Sequence, residues 1–127
     1  MDCQEALHDL QAISAIGARM TRRRRDIYRY LSALYRVGGK WLDLPPHERR
    51  ILRDTAINGQ QRRVDPRAAR TVFRLLIELT LECDARLKWR YARALQYART
   101  CSCRVEDLSE FFKRHGGIEG CSRKYQS

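Results

Sequence analysis

Apolar side chains recur every three or four residues along most of this 127-residue chain. No segment shows the strict alternation that is typical of a half-buried strand. The 3 prolines and 7 glycines fall at plausible joints between the periodic segments. This pattern predicts an all-α fold, with residues 1–127 forming a single domain, a compact bundle of about six to seven helices.

Start and stop signals divide the first half of the chain. A first helix is expected over about 2–17, and a second over about 24–37, ending at Gly38–Gly39. A third helix begins within DLPPHERRILRDTAI, because proline is tolerated in a first turn. The segment NGQQRR is expected to break it.

The segment VDPRAARTVFRLLIELTLE has the clearest helix start. Asp65 is a good N-cap, and Pro66 suits the first helical position. Apolar residues cover a wide arc of this fourth helix, which indicates contact with several neighbours. We therefore expect it to be the central helix of the bundle.

The last third of the chain predicts three more helices. A fifth is expected over about 85–100, a sixth over about 105–115 and a short seventh over about 119–125, with Gly116–Gly117 as the turn before the seventh. Helix, glycine turn and helix also outline a DNA-binding helix-turn-helix, but SRKYQS is too short to fill a major groove. Residues 105–125 are therefore expected to form an αα-hairpin that closes the core, and a degenerate DNA reader is the alternative.

The charge of the chain indicates an anionic partner. The formal net charge is +11, and Arg makes up 22 of the 26 basic residues. Residues 19–74 hold 16 basic and 5 acidic side chains, while 86–104 hold 6 basic and no acidic ones. A guanidinium group pairs with phosphate through two parallel hydrogen bonds and stacks on flat rings. A compact protein with this much positive charge repels itself unless a partner offsets it.

Arginines form strips on three of the expected helices and in one loop. On the second helix the strip lies opposite the apolar face, provided that the helix begins by residue 22, and only Ser32 and Ala33 separate Arg29 from Arg36 on that side. Such a strip lets a phosphate backbone approach closely. The candidate nucleic-acid contacts are Arg22, Arg25, Arg29, Arg36, Arg62, Arg63, Arg67, Arg70, Arg74, Arg86, Arg90, Arg93, Trp89 and Tyr97.

Two of these strips allow a second interpretation. On the fifth helix, Trp89 and Tyr97 lie among arginines, so they either stack on bases or pack on a neighbouring helix. On the fourth helix, arginines precede Glu78 and Glu82, an order that opposes the helix dipole. Pairing of Arg74 with Glu78, four residues apart, would offset part of that cost.

Metal binding and catalysis have little support in the sequence. Cys101 and Cys103 are closer together than paired zinc ligands usually are, although His115 and Cys121 follow them. The three histidines are scattered, and no glycine-rich phosphate loop follows a strand. We expect free thiols, no metal, no cofactor and no enzymatic activity.

The chain shows neither a membrane span nor a secretion signal. No apolar run approaches the roughly 20 residues that a transmembrane helix needs. The segment MDCQEALHDL lacks the basic and apolar regions of a signal peptide. A cytoplasmic protein without a membrane partner is therefore expected.

These patterns together predict a non-catalytic protein that binds nucleic acid, either DNA or RNA, mainly through the phosphate backbone. Its role would be that of a small regulator or a helical subunit of a nucleoprotein complex. The main alternative is an adaptor or inhibitor that docks its arginines on an acidic protein surface. A third reading is a homo-oligomer in which Trp41, Trp89 or Tyr97 fill a helix interface.

Overall fold

The computed structural model describes residues 2–61 and 63–126, and all regular secondary structure in those two stretches is helical. The α-helices are α1 (Cys3–Ala18), α2 (Arg24–Leu42), α3 (Pro46–Asn58), α4 (Val72–Thr80), α5 (Ala85–Thr100), α6 (Leu108–Arg114) and α7 (Gly117–Gln126). Short 3-10 turns at Ala68–Arg70 and Val105–Asp107 precede α4 and α6. The predicted all-α bundle of six to seven helices is confirmed.

Aspartate side chains cap two of these helices. Asp2 accepts a hydrogen bond from the backbone N–H of Glu5 at 2.7 Å, and Asp84 accepts one from Leu87 at 2.9 Å. Each bond satisfies a donor that has no partner within the helix. The predicted bounds of the fifth helix, 85–100, agree with α5, and those of the first helix agree with α1 within one residue.

Helix α4 is the centre of the bundle, as predicted. Phe73, Leu75, Leu76 and Ile77 are each at most 1% exposed. The helix packs against α1, α2 and α5. Three neighbouring helices therefore pack on its wide apolar arc.

The predicted start of this central helix is wrong. The Asp65 carboxylate accepts a hydrogen bond from the N–H of Arg67 at 2.9 Å, but Asp65 does not cap α4, whose N-cap is Thr71. A 3-10 turn follows at Ala68–Arg70, and the backbone then becomes extended at Thr71, with φ −125° and ψ 147°. Arg67 and Arg70 therefore precede α4, and Glu82 lies beyond its end. The charged strip that was expected on the fourth helix is therefore divided, because only two of its members belong to α4. These members were Arg67, Arg70, Arg74, Glu78 and Glu82.

The predicted end of the second helix is also wrong, because α2 continues through Gly38 and Gly39 to Leu42. Gly38 is buried, and a methyl group there would lie 2.7 Å from Cδ1 of Phe73. The glycine therefore serves the close approach of α4 to α2 rather than helix termination. Tyr35, one turn earlier, stacks on the same phenyl ring with a centroid distance of 5.7 Å.

Helices α6 and α7 are joined by a glycine turn in the C-terminal region. Gly116 and Gly117 turn the chain with φ values of +83° and +77°, a region that favours glycine. Helix α7 then packs along α5, and both Phe112 and Cys121 are fully buried. The hairpin closes the core instead of presenting a recognition helix.

Two large aromatic residues of α2 lie at the centre of the core. Tyr30 and Trp41 are both 0% exposed. The Tyr30 hydroxyl hydrogen-bonds to Thr80 at 2.6 Å, which links α2 to the end of α4. Because Trp41 is completely enclosed, it has no surface with which to fill an interface between copies, contrary to one of the readings above.

We predict that Gly38→Ala lowers the free energy of unfolding by about 2 kcal/mol. The added methyl group would press on a phenyl ring that is 1% exposed and has no room to withdraw. Urea denaturation measures the change.

Gly39→Ala is the matched control, since it makes the same substitution one residue later. Its nearest neighbour would be the flexible Arg99 guanidinium, with Nη1 at 3.4 Å. Higher helix propensity should leave this variant as stable as the parent, or more stable by up to about 1 kcal/mol. Equal losses in the two variants would show that helix geometry, not the contact with Phe73, explains the effect.

Candidate nucleic-acid interface

The run of four arginines is held at the start of α2 by one carboxylate. The Thr21 hydroxyl donates to Asp26 Oδ2 at 2.5 Å, and this bond holds the pKa of Asp26 below its usual value. Arg23 is the N-cap residue of α2, so Arg22 precedes the helix and does not belong to a helical strip. Residues 22–25 are all exposed.

A groove of about 430 Å³ lies between the first turns of α2 and helix α6. We call it the α2–α6 groove. Three arginines, one lysine, one tyrosine and two serines line it, and none of these lining residues is acidic. They are Arg24, Arg25, Tyr28, Arg29, Ser32, Ser109 and Lys113.

The position of α6 gives the groove its second wall. Tyr28 packs on Phe112 of α6 with a centroid distance of 5.4 Å. The nearest acidic partners are weakly placed, because Arg25 Nε is 4.0 Å from Asp26 and Lys113 Nζ is 3.6 Å from Glu110. The groove is therefore a positively charged surface with little internal compensation.

Sequence reasoning missed two of the four groove cations. On a helical wheel Arg24 falls toward the apolar arc and was therefore not among the candidate contacts, but its side chain lies in the first turn of α2 and is exposed. Lys113 belongs to the hairpin that was expected only to close the core. Its position in the i, i+4 series after Ser109 placed both residues on one face of α6, but nothing in the sequence indicated that this face meets α2.

Arg36 lies further along α2 than the groove. It is exposed, as the wheel predicted, but it is not among the groove's lining residues. Ser32 does line the groove, and Ala33 is half-buried. The α2 strip therefore consists of Arg25 and Arg29 in the groove and Arg36 outside it.

Arg74 does not belong to the exposed surface, which corrects the prediction for this residue. Its side chain is 4% exposed, and Nη1 lies 3.0 Å from Glu78 Oε1. The other oxygen of the same carboxylate accepts from Lys88 Nζ at 3.2 Å, and the Lys88 side chain is 8% exposed. Two buried cations thus share one carboxylate across α4 and α5.

This Arg74–Glu78–Lys88 triad is only partly visible in the sequence. The i, i+4 pairing of Arg74 with Glu78 was expected, but the role of Lys88 was missed. On a helical wheel Lys88 lies within about 20° of Leu95, on the edge of the apolar face, and that position was the available signal. Burial alone would raise the pKa of Glu78, but the hydrogen bonds from Lys88 and Arg74 outweigh it, so the pKa lies below its usual value.

Trp89 is half-buried beside the triad. The guanidinium of Arg74 lies 4.9 Å from the centre of the indole ring, and that of Arg93 lies 5.9 Å from it. A nucleobase that stacked on this ring would compete with two protein cations. Arg86 and Arg90 remain exposed along the same helix.

Tyr97 packs within the protein, as the second interpretation of the aromatic residues predicted. Its ring centroid lies 5.7 Å from that of Phe111 and 5.5 Å from that of His115. Because the ring is half-buried against the hairpin, its main role is to hold α5 to α6. It is a poor candidate for base stacking.

The arginines of the loop before α4 are exposed where the structure describes them. Arg62 lies outside the described residues. Arg63, Arg67 and Arg70 are exposed, and Arg67 Nε is 3.9 Å from Asp65.

The predicted nucleic-acid contacts therefore lie at separate places on the protein. The α2 arginines of the groove face α6, whereas Arg93 and Trp89 lie against Arg74 of α4. A single groove that collects all three strips is not what the structure contains. In the α2–α6 groove, exposed cations from two helices come together without an acidic lining residue.

The described part of the chain holds no cluster of metal-binding side chains. No three His, Cys, Asp or Glu side chains in residues 2–61 and 63–126 lie where they could share a metal ion. The five thiols are free, and burial raises the pKa of the Cys121 thiol to about 11. In the same residues, no helix has the length and apolar character that a membrane crossing requires.

Comparisons with models of protein families, with curated proteins and with solved structures find no match. The function must therefore be inferred from the residues themselves.

We predict that Glu78→Gln lowers the free energy of unfolding by about 3 kcal/mol at neutral pH. The substitution would leave the Arg74 and Lys88 cations without their shared counter-charge. Because the pKa of Glu78 is lower in the folded protein than its ordinary value of 4.5, its stabilising effect is full above pH 4.5 and is lost as the pH falls further. Urea titrations from pH 3 to pH 7 measure both effects.

Glu82→Gln provides the control, because it removes the same charge from an exposed residue beyond the end of α4. This variant should stay within about 0.5 kcal/mol of the parent. If the free energy of unfolding of the Glu78 variant fell with decreasing pH as steeply as that of the parent, the triad would not be the source of this pH dependence.

Proposed function

We propose that the protein binds nucleic acid mainly through the phosphate backbone, with the α2–α6 groove as the principal contact. The observation that carries this proposal is the convergence of four cations from two helices, with no carboxylate among the lining residues. Phosphate contacts of this kind supply most of the affinity of non-specific binding. A role as a small regulator or as a helical subunit of a nucleoprotein complex fits such a surface.

The groove suits a phosphate chain for three reasons. Arg24, Arg25 and Arg29 can each form paired hydrogen bonds to phosphate oxygens. The hydroxyls of Ser32 and Ser109 can donate further bonds, as serine does in many backbone contacts. Both serines are small, so a phosphate can come close to the helix axes.

The exposed part of the α5 strip offers a second contact surface, apart from the groove. Arg86 and Arg90 are exposed to solvent, so they can add phosphate contacts at a second place. Arg74 and Tyr97 drop out of the proposed interface because they are used inside the protein.

Weak sequence preference follows from the same arrangement. Helix α7 packs along α5, so it is not a recognition helix that could enter a major groove. Contacts to phosphate fix the position of a protein on its nucleic acid but carry little sequence information. We therefore expect similar affinities for unrelated sequences of equal length.

The test is the salt dependence of binding to duplex DNA, single-stranded DNA and RNA, measured by fluorescence anisotropy. On duplex DNA the slope of log K against log salt changes by about 0.9 for each phosphate contact. The double variant Arg25→Gln with Arg29→Gln should therefore bind more weakly and reduce the slope by about 2.

Arg104→Gln with Arg114→Gln is the matched control. It also removes two positive charges, but from exposed residues that line a separate pocket together with Asp107 and Glu110. The proposal fails if the affinity is insensitive to salt, or if the control loses as much affinity as the groove variant. Recovery of a protein partner that survives nuclease treatment and is lost in the groove variant would instead support docking on an acidic protein.

A further inference from the structure

A second cluster of arginines surrounds a pocket of about 340 Å³ at the opposite end of α2. The pocket lies between the end of α2, helix α3 and the start of α4, and we call it the α3–α4 pocket. Four guanidinium groups line it, and no acidic residue does. The lining includes Trp41, Arg49, Arg50, Arg53, Arg70 and Thr71.

The charge of this pocket is poorly compensated within the protein. Arg53 Nε lies 3.6 Å from Asp54, and Arg49 donates one hydrogen bond to the backbone oxygen of Leu44 at 3.3 Å. For Arg50 and Arg70, no carboxylate of residues 2–61 and 63–126 lies within 4.0 Å of the guanidinium nitrogens. At least two positive charges at the pocket are therefore left to solvent or to a ligand.

Two buried nitrogen donors of the lining residues also lack an acceptor. Trp41 is 0% exposed, and its Nε1 has no hydrogen-bond partner among the described residues. The same holds for Nε of Arg49. Buried donors without a partner are rare in folded proteins, and they mark places where an acceptor belongs.

The start of α4 adds backbone donors at the same place. Thr71 is the N-cap residue of α4, but its side chain makes no capping hydrogen bond. The first backbone N–H groups of α4 thus have no acceptor within the helix, and they carry the positive end of its dipole. Helix starts of this kind bind phosphate in many proteins.

From these features we propose that the α3–α4 pocket binds the phosphate group of a small phosphate ester, such as a nucleotide, or free phosphate. Guanidinium groups and helix-start N–H groups are all donors, and a phosphate oxygen can accept from each of them. Four guanidinium groups suit a doubly charged oxyanion better than a singly charged carboxylate. The volume is within the range of small-molecule sites, and Val72 and Leu75 give it apolar wall for the organic part of an ester.

This site is separate from the α2–α6 groove and does not depend on the proposed nucleic-acid binding. Arg49, Arg50 and Arg53 were not among the residues that the sequence indicated for nucleic acid. Arg70 was assigned to the fourth-helix strip, but the structure places it in this pocket.

The test uses the emission of Trp41, one of the two tryptophans of the chain. In a Trp89→Phe background, the protein is titrated at constant ionic strength with inorganic phosphate, pyrophosphate, ADP and acetate. We expect a saturable change in emission with the three phosphate compounds and none with acetate. Binding of ADP at least about tenfold tighter than that of inorganic phosphate would identify a nucleotide site, and equal binding would identify a site for phosphate itself.

Variants locate the site. Arg50→Gln with Arg70→Gln should raise the Kd for pyrophosphate at least about tenfold, because two charge-assisted contacts are lost. Both side chains are exposed, so thermal unfolding should be close to that of the parent and confirm that the variant is folded. Arg25→Gln with Arg29→Gln removes equal charge from the α2–α6 groove and should leave this Kd unchanged.

Two results would overturn the proposal. One is the absence of any saturable change with pyrophosphate and ADP. The other is an equal rise in Kd in the pocket and groove variants, since binding would then reflect total charge rather than this pocket. Loss of nucleic-acid binding in the groove variant, with phosphate binding retained, would separate the two sites.

Discussion

Helix α4 is enclosed by α1, α2 and α5, and the rest of the structure depends on how its charged side chains are satisfied there. Arg74 and Glu78 lie on a helix with little access to water, so each needs a partner inside the protein. The carboxylate of Glu78 pairs with Arg74 on its own helix and with Lys88 on α5. This arrangement holds α4 and α5 in one register, and it places Arg74 against the indole of Trp89.

Much of the fold could be predicted from the sequence because helical periodicity acts locally. The bounds of α1 and α5 and the central position of α4 followed from this signal. The errors occurred where a distant residue decides the outcome. In the sequence, Gly38 has the appearance of a helix stop. Its role in the contact with Phe73, 35 positions later, becomes visible only in the folded protein. A helical wheel describes angles about one axis, whereas burial depends on which neighbours cover each side, and for that reason Arg74 was assigned to the surface.

The candidate sites were harder still to predict from the sequence, because they depend on contacts between distant elements. Exposure of Arg25, Arg29 and Arg36 was predictable from their spacing on one helix. The α2–α6 groove was not, because Lys113 approaches α2 only through the packing of Phe112 on Tyr28. Arg50 and Arg70 likewise meet only because the chain turns back between α3 and α4. The positive charge is thus concentrated at both ends of α2, in the α2–α6 groove and in the α3–α4 pocket.

The C-terminal hairpin has a consequence for both of these regions. Ser109 and Lys113 of α6 form part of the groove at one end of α2, and Tyr125 of α7 lines the pocket at the other. The α6 wall of the groove and the contribution of Tyr125 to the pocket therefore exist only while the hairpin is docked on α5. By thermodynamic linkage, any ligand that requires the docked hairpin would also strengthen its docking. A segment that first looked like a cover for the core is thereby in contact with both of the proposed binding regions.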